Sequence, residues 1–203
     1  MEKVKGAMQS SAEQHIFITG ACGAGKSTLG RALSRQLQLP LHRLDDDPDF
    51  RQMLRHDPPP DLTRLTDPQR YAQWQALRRH LVQEALKLPE PHIIEGTHIL
   101  VAPELTTGHR RILVDTPLHQ IIRQHLARDR AKYAEDPVRY AERHAGAPGS
   151  AAARQRALRA RQIYEGLLPE IDAFRQLSGV EIVPSRAFKT WLPQQVKIST
   201  DLS

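Results

Sequence analysis

A single cysteine, Cys22, occurs in the 203 residues, so no internal disulfide framework can form and a reducing compartment is implied. No apolar run approaches the roughly 20 residues that span a bilayer. The first 14 residues, MEKVKGAMQSSAEQ, carry two lysines but lack the apolar stretch of a signal peptide. They read as a flexible tail, and a cytoplasmic location with no membrane partner follows by default. Internal repeats and extended low-complexity segments are absent as well, which excludes a solenoid.

What is present is ordinary for one globular domain: 39% hydrophobic and 26% charged residues, enough apolar surface to offset chain entropy. The formal charge of +6 is regional. Between Arg123 and Arg161, nine Arg and one Lys face four acidic residues (Asp129, Glu135, Asp136 and Glu142), a local net of +6 that equals the whole excess. Arginine in such a block either solvates a helix face or grips phosphate.

Short β-rich runs alternate with long helical patterns, as in a parallel sheet covered by helices. Strands are expected at 15–19, 39–44, 92–96, 111–115 and 180–183. Leu29, Leu33 and Leu37 share one face of a helix beginning at Lys26. The proline-rich stretch from Pro48 to Asp67 is expected as a loop or a few short turns. Asp67–Pro68 and Thr116–Pro117 each look like an N-cap followed by a first-turn proline. The first opens a helix with Tyr71, Trp74, Leu77, Leu81, Ala85 and Leu88 on its apolar side. The second opens a helix that weakens after Arg130 into a small-residue excursion, 135–150. A long helix follows from about Ala151, and residues 185–203 are expected as a peripheral tail.

Gly20, Gly25, Lys26 and Ser27 satisfy G-x-x-x-x-G-K-[ST] between an apolar strand and an amphipathic helix, the context that makes the pattern specific for nucleotide phosphates. The whole run Gly20, Ala21, Cys22, Gly23, Ala24, Gly25, Lys26, Ser27 and Thr28 is the candidate nucleotide site. Its N–H groups and the positive end of the helix would cradle the β-phosphate. Lys26 would bridge the β- and γ-phosphates, and Ser27 would hold Mg²⁺. Three consecutive carboxylates, Asp45, Asp46 and Asp47, end the second strand, where an open parallel sheet places ligand-facing groups. Asp45 is the candidate to orient an attacking hydroxyl or to hold Mg²⁺ through water. Glu95, ending the third strand, is a further Mg²⁺ candidate. His98 reads as a packed or solvated histidine. Among Arg123, Arg128 and Arg130, Arg128 is best placed to meet a transferring phosphate under a lid spanning about 128–155.

The loop, with "HRLDDD" following and an aspartate 19 positions beyond Lys26, resembles the nucleoside and nucleotide kinase group of P-loop proteins. "IIEGTHIL", "RILVDTP" and the pair Arg128–Asp129 are closer to uridine kinases, and the loop, helix and strand two also resemble shikimate-kinase-like and adenylate-kinase-related members. The resemblance runs from about His15 to Val183. It implies an α/β three-layer sandwich of the P-loop NTPase kind over residues 15–184, a five-stranded parallel sheet in order 2-3-1-4-5 and a helical lid. ATP with Mg²⁺ is implied as donor, and transfer to a small hydroxyl acceptor as activity. The chain departs from uridine kinases in having Pro48, Asp49 and Phe50 after strand two, and Gln124 and His125 before the Arg-Asp pair.

A GTPase switch would need an [NT]-K-x-D segment, which is absent. An AAA-type motor would want a larger chain and an Asp-Glu pair ending strand three, where Glu95 stands alone. A nucleic-acid-associated or regulatory ATP-binding protein would need an outward basic face interleaved with aromatics, and only Tyr133, Tyr140 and Tyr164 lie near the arginines. The expectation is therefore a kinase with a nucleoside-like acceptor and no nucleic-acid partner, a monophosphate, shikimate or sugar acid remaining the alternative. The acceptor wall would be built from Arg51, Arg55, Arg64, Tyr71 and Trp74.

Overall fold

The computed structural model describes residues 14–56, 68–138 and 151–200. Strands β1 (Ile16–Thr19), β2 (Leu41–Arg43), β3 (Ile93–Glu95), β4 (Arg110–Asp115) and β5 (Val180–Pro184) form one parallel sheet in the order β2-β3-β1-β4-β5. This is the order that the resemblance implied. The central strand reads IFIT with every residue buried, as expected where helices cover both faces of a parallel sheet. Register pairs Glu95 with both Ile18 and Arg43, so β1, β2 and β3 end level with one another. Whatever follows each of them therefore meets along one edge.

Six helices surround the sheet among the described residues: α1 (Lys26–Leu37), α2 (Pro48–His56), α3 (Pro68–Ala85), α4 (Leu118–Glu135), α5 (Ala151–Arg175) and α6 (Phe188–Thr200). The predicted face of α1 is the buried one: Leu29 and Leu33 are fully inside and Leu37 packs against the core. Phe17, Ile18, Ile94, Ile112 and Leu113 of the sheet meet Ile121 of α4 and Leu167, Ile171 and Phe174 of α5 in the same cluster. Burial of each such side chain is worth about 1.5–3 kcal/mol.

Several elements differ from the sequence expectation. Pro48–His56 is a helix, not a loop, because Asp47 caps it: its Oδ1 accepts from the backbone N–H groups of Asp49 and Phe50, each at 3.0 Å. Residues 57–67, with the expected Asp67 cap, lie outside the described residues. Thr116 does not cap α4; its hydroxyl donates to the Ala24 carbonyl at 2.9 Å, and Pro117 takes the cap position without a side-chain hydrogen bond. The helix α4 runs on through Glu135, and of the expected lid, residues 139–150 lie outside the described residues.

The expected C-terminal tail holds a 3-10 turn, Ser185–Ala187, and then α6. Phe188, Trp191 and Leu192 pack on the core, and Gln36 of α1 donates to the Leu192 carbonyl at 2.7 Å. Arg110 anchors the same helix. Its guanidinium pairs with both carboxylate oxygens of Glu181, bonds Gln195 and lies 5.7 Å from the centre of the Trp191 ring. No helix among the described residues is long and apolar enough to cross a membrane.

Candidate active site

The chain leaves β1 through a loop whose backbone only glycine supports. Gly20 has φ 141°, and a Cβ there would sit 2.5 Å from the Val114 carbonyl oxygen. Gly25, at φ 104°, begins α1 with no side-chain cap, and the first turn of α1 holds no acidic residue. The positive end of a 12-residue helix is thus left open to an anion. Two buried hydroxyls fix the surroundings of the loop: Thr19, which ends β1, donates to the Gly96 carbonyl after β3 at 3.0 Å, and Thr116, after β4, donates to the loop's Ala24 carbonyl. Lys26 is buried and folds back, donating from Nζ to the Ala21 carbonyl at 3.0 Å. Ser27 is half-buried and Thr28 exposed. Cys22 is exposed, and the His125 ring of α4 reaches within 3.4 Å of the Cys22 carbonyl.

The glycine-lined cradle, the uncapped helix end, Lys26 and the Ser27 hydroxyl fit a nucleotide triphosphate carrying Mg²⁺. Among the described residues, no group of three or more His, Cys, Asp or Glu side chains is placed to hold a metal ion. The donor set suits a Mg²⁺ that arrives with phosphate oxygens and keeps several waters.

The three aspartates after β2 do three different things. Asp47 caps α2. Asp46 pairs with Arg43 at 3.0 Å and also bonds Arg51. Asp45 turns toward the loop, its side chain 42% exposed, with Oδ1 lying 3.0 Å from His98 Nε2. Burial pushes the Asp45 carboxyl up, but the His98 contact and the charges of Lys26 and Arg43 outweigh it and hold the group below the usual carboxylate range. Asp45 is therefore ionised at neutral pH and lies within the field of Lys26.

Glu95 is almost fully buried and accepts from Arg43 Nε at 2.7 Å. Its second oxygen, Oε2, is buried without a hydrogen-bond partner among the described residues. One edge of this candidate metal ligand is thus committed to structure, and that bond is the main cause raising the Arg43 guanidinium above its ordinary range. Of the expected acceptor wall, Trp74 is buried against Phe50 with ring centres 5.1 Å apart. Arg51 is exposed and drawn to Asp46, and Tyr71 is half-buried on α3. The Arg55 side chain and all of Arg64 lie outside what is described.

Arg123, Arg128 and Arg130 are all exposed on α4. Ile121 and His125 are the α4 side chains nearest a Cβ built on Gly23. Arg128 follows them at helical spacing, so it belongs to the α4 stripe that meets the loop; Arg123 and Arg130 do not.

Two side chains matter here that the sequence did not single out for chemistry. His98 is 1% exposed, edge-on to Phe50 at 4.3 Å. Burial holds its ring below the usual imidazole range despite Asp45, with Arg78 and Lys26 adding to the depression. Arg78 of α3 is buried and donates to the Thr97 carbonyl at 2.8 Å. Its spacing of four from Trp74 places it on the apolar stripe, which was the available signal. Phe188 of α6 also approaches the loop, its ring 3.3 Å from where a Gly25 Cβ would stand.

Comparison with solved structures finds the same architecture. A shikimate kinase from Bacteroides thetaiotaomicron superposes with a TM-score of 0.56 at 16% identity, covering 93% of this chain and 99% of that one. TT1252 from Thermus thermophilus gives 0.51 at 20% identity, covering 94% and 100%. No curated protein matches the sequence. The fold is thus that of the kinase-like P-loop proteins; a uridine-kinase-like subgroup is not singled out. The sequence expectation set an AAA-type motor aside because Glu95 ends strand three alone, as it does in β3; the family that matches nonetheless carries the AAA name. Residues 16–144 match the family model described as an AAA domain, more than half of the chain, and the protein belongs to that family.

Proposed function

We propose that the protein is an ATP-dependent small-molecule kinase that passes the γ-phosphate to an acceptor hydroxyl. The observation that carries this reading is Asp45: an ionised, half-exposed carboxylate at the same sheet edge as the phosphate loop, in the field of Lys26. A carboxylate placed there can orient an acceptor hydroxyl and take its proton, and β3 ends in Glu95 without the Asp-Glu pair expected of an ATPase motor.

In this reading the loop amides and Lys26 hold the donor phosphates, and Ser27 would hold Mg²⁺, whose charge would offset that of the phosphate oxygens. The acceptor oxygen attacks the γ-phosphorus in line. The O–P bond to the acceptor forms as the bond to the β-bridging oxygen breaks, ADP leaves with that electron pair, and the hydroxyl proton passes to Asp45. A carboxylate of low pKa suffices where the transition state is loose and the hydroxyl needs orienting more than deprotonating. Arg128, on the α4 stripe that meets the loop, would answer the charge on the transferring group.

A nucleoside-like acceptor follows from the resemblance of the strand-end motifs, since Phe50 and Trp74 are buried in the core cluster and offer an acceptor no ring face. The buried Arg78 cation beside His98 favours a second reading, a shikimate-type or sugar-acid acceptor. An ADP-release screen across nucleosides, nucleoside monophosphates, shikimate and sugar acids tests both, with Lys26→Ala and Asp45→Asn as controls. One class should raise ADP release above the hydrolysis background in the wild type only. ATP binding and DNA binding with no acceptor-dependent release would instead establish a nucleic-acid-associated ATP-binding protein.

A further inference from the structure

His98 lies on the 3-10 turn Thr97–Val101 that follows β3. Its ring is enclosed: Phe50 closes one side, itself fixed by the Asp47 cap and by Trp74. Nδ1 has no hydrogen-bond partner among the described residues, and Nε2 faces Asp45 Oδ1 alone, 3.0 Å away but bent from good hydrogen-bond alignment. Leaving a buried polar group unpaired costs about 1–3 kcal/mol. A leucine would fill the same apolar niche without that cost, so packing alone does not account for a histidine here. Catalytic hydrogen bonds that are short but misaligned commonly straighten once substrate binds.

Asp45, by contrast, sits on a short turn, and among the described residues His98 is its one ion-pair partner. We propose that His98 is a positioning residue for Asp45, donating from Nε2 to Oδ1 so that Oδ2 is presented to the acceptor hydroxyl. Phe50 holds the ring edge-on so that Nε2 stays aimed at the carboxylate. The helix α2 thereby serves the chemistry through the ring it clamps. This assignment rests on the reading of Asp45 as the acceptor-side carboxylate.

The first test needs neither nucleotide nor acceptor. In the full chain at pH 7.5, ¹⁵N NMR of His98 should show the Nε2–H tautomer with a slowly exchanging proton, and Asp45→Ala should abolish that protection. An Nδ1–H tautomer, or one indifferent to Asp45→Ala, overturns the proposal. The second test uses the acceptor found by the screen. His98→Leu should lower kcat on the order of 10²-fold with KM for ATP unchanged. His98→Gln, whose amide reaches the Nε2 position, should restore most of it, and the shorter His98→Asn should not. Loss of KM alone, or equal kcat in the Gln and Asn variants, counts against positioning and also separates it from a folding defect. If no acceptor is found, the NMR result decides the His98–Asp45 contact by itself, while the kinase reading falls separately.

Discussion

The two ends of the parallel sheet are built from different chemistry. At the carboxyl end, charges of both signs interlock: Lys26, Asp45, Arg43, Glu95, Asp46 and Arg51. At the amino end, like groups gather. His15, His92 and His109 stand at the starts of β1, β3 and β4, with ring centres 5.3 Å apart for His15–His109 and 6.2 Å for His15–His92. Burial, then the neighbouring imidazoles, lowers the pKa of His15; burial alone lowers that of His109, and burial chiefly that of His42. An edge that keeps its charges can bind and polarise a charged ligand, whereas one that is stable only while neutral can do little but hold the strands. Substitutions at the first should therefore cost activity, and acid should act through the second.

The largest effect is expected from Lys26→Ala, a fall in phosphoryl transfer on the order of 10³-fold with the melting temperature nearly unchanged. Asp45→Asn should follow with at least ~10²-fold loss in kcat and ATP affinity retained, as read by calorimetry. Gly20→Ala breaks the separation of the two ends, since a Cβ would meet the Val114 carbonyl. It should cost about 1–3 kcal/mol of stability as well as nucleotide binding.

The pH effect sharpens the comparison from the other end. Each of these histidines has a folded pKa below its ordinary value of about 6.5, so the unfolded chain takes up protons first as pH falls. Their contribution is complete above about pH 6.5 and is lost progressively below it. Urea midpoints should drop on acidification from pH 7 to 5, and His109→Leu, which removes a ring whose Nδ1 is buried without a hydrogen-bond partner among the described residues, should flatten that slope. The smallest effect belongs to neither end: breaking the solvent-exposed Arg79–Glu104 pair by Arg79→Ala should change stability by under ~1 kcal/mol.

Much of this arrangement is legible in the sequence, and the failures have physical causes. The loop, the five strands and the buried face of α1 follow from local pattern, because each is dictated by its own residues. Helix α2 carries the same local pattern, Asp47–Pro48, that the sequence offers at Asp67–Pro68 and Thr116–Pro117, but the prolines at 58–60 dominate that stretch. Helix α6 has apolar residues at Phe188, Trp191 and Leu192 in helical spacing, interrupted by Pro193, and its true anchor is the distant Arg110. Thr116 reads as a cap locally, and only the fold brings Ala24 within reach of its hydroxyl. The division of labour among the three aspartates, and the pairing of His98 with Asp45, depend on where β2 and β3 end relative to each other. That is a tertiary fact with no local signature.

The most direct test of the central claim follows the phosphate itself. With the acceptor found by the screen, ³¹P NMR should show the γ-resonance of ATP replaced by a phosphomonoester signal on the acceptor, in the wild type and not in Asp45→Asn. Inorganic phosphate appearing in place of the ester, at a rate the acceptor does not change, would contradict it.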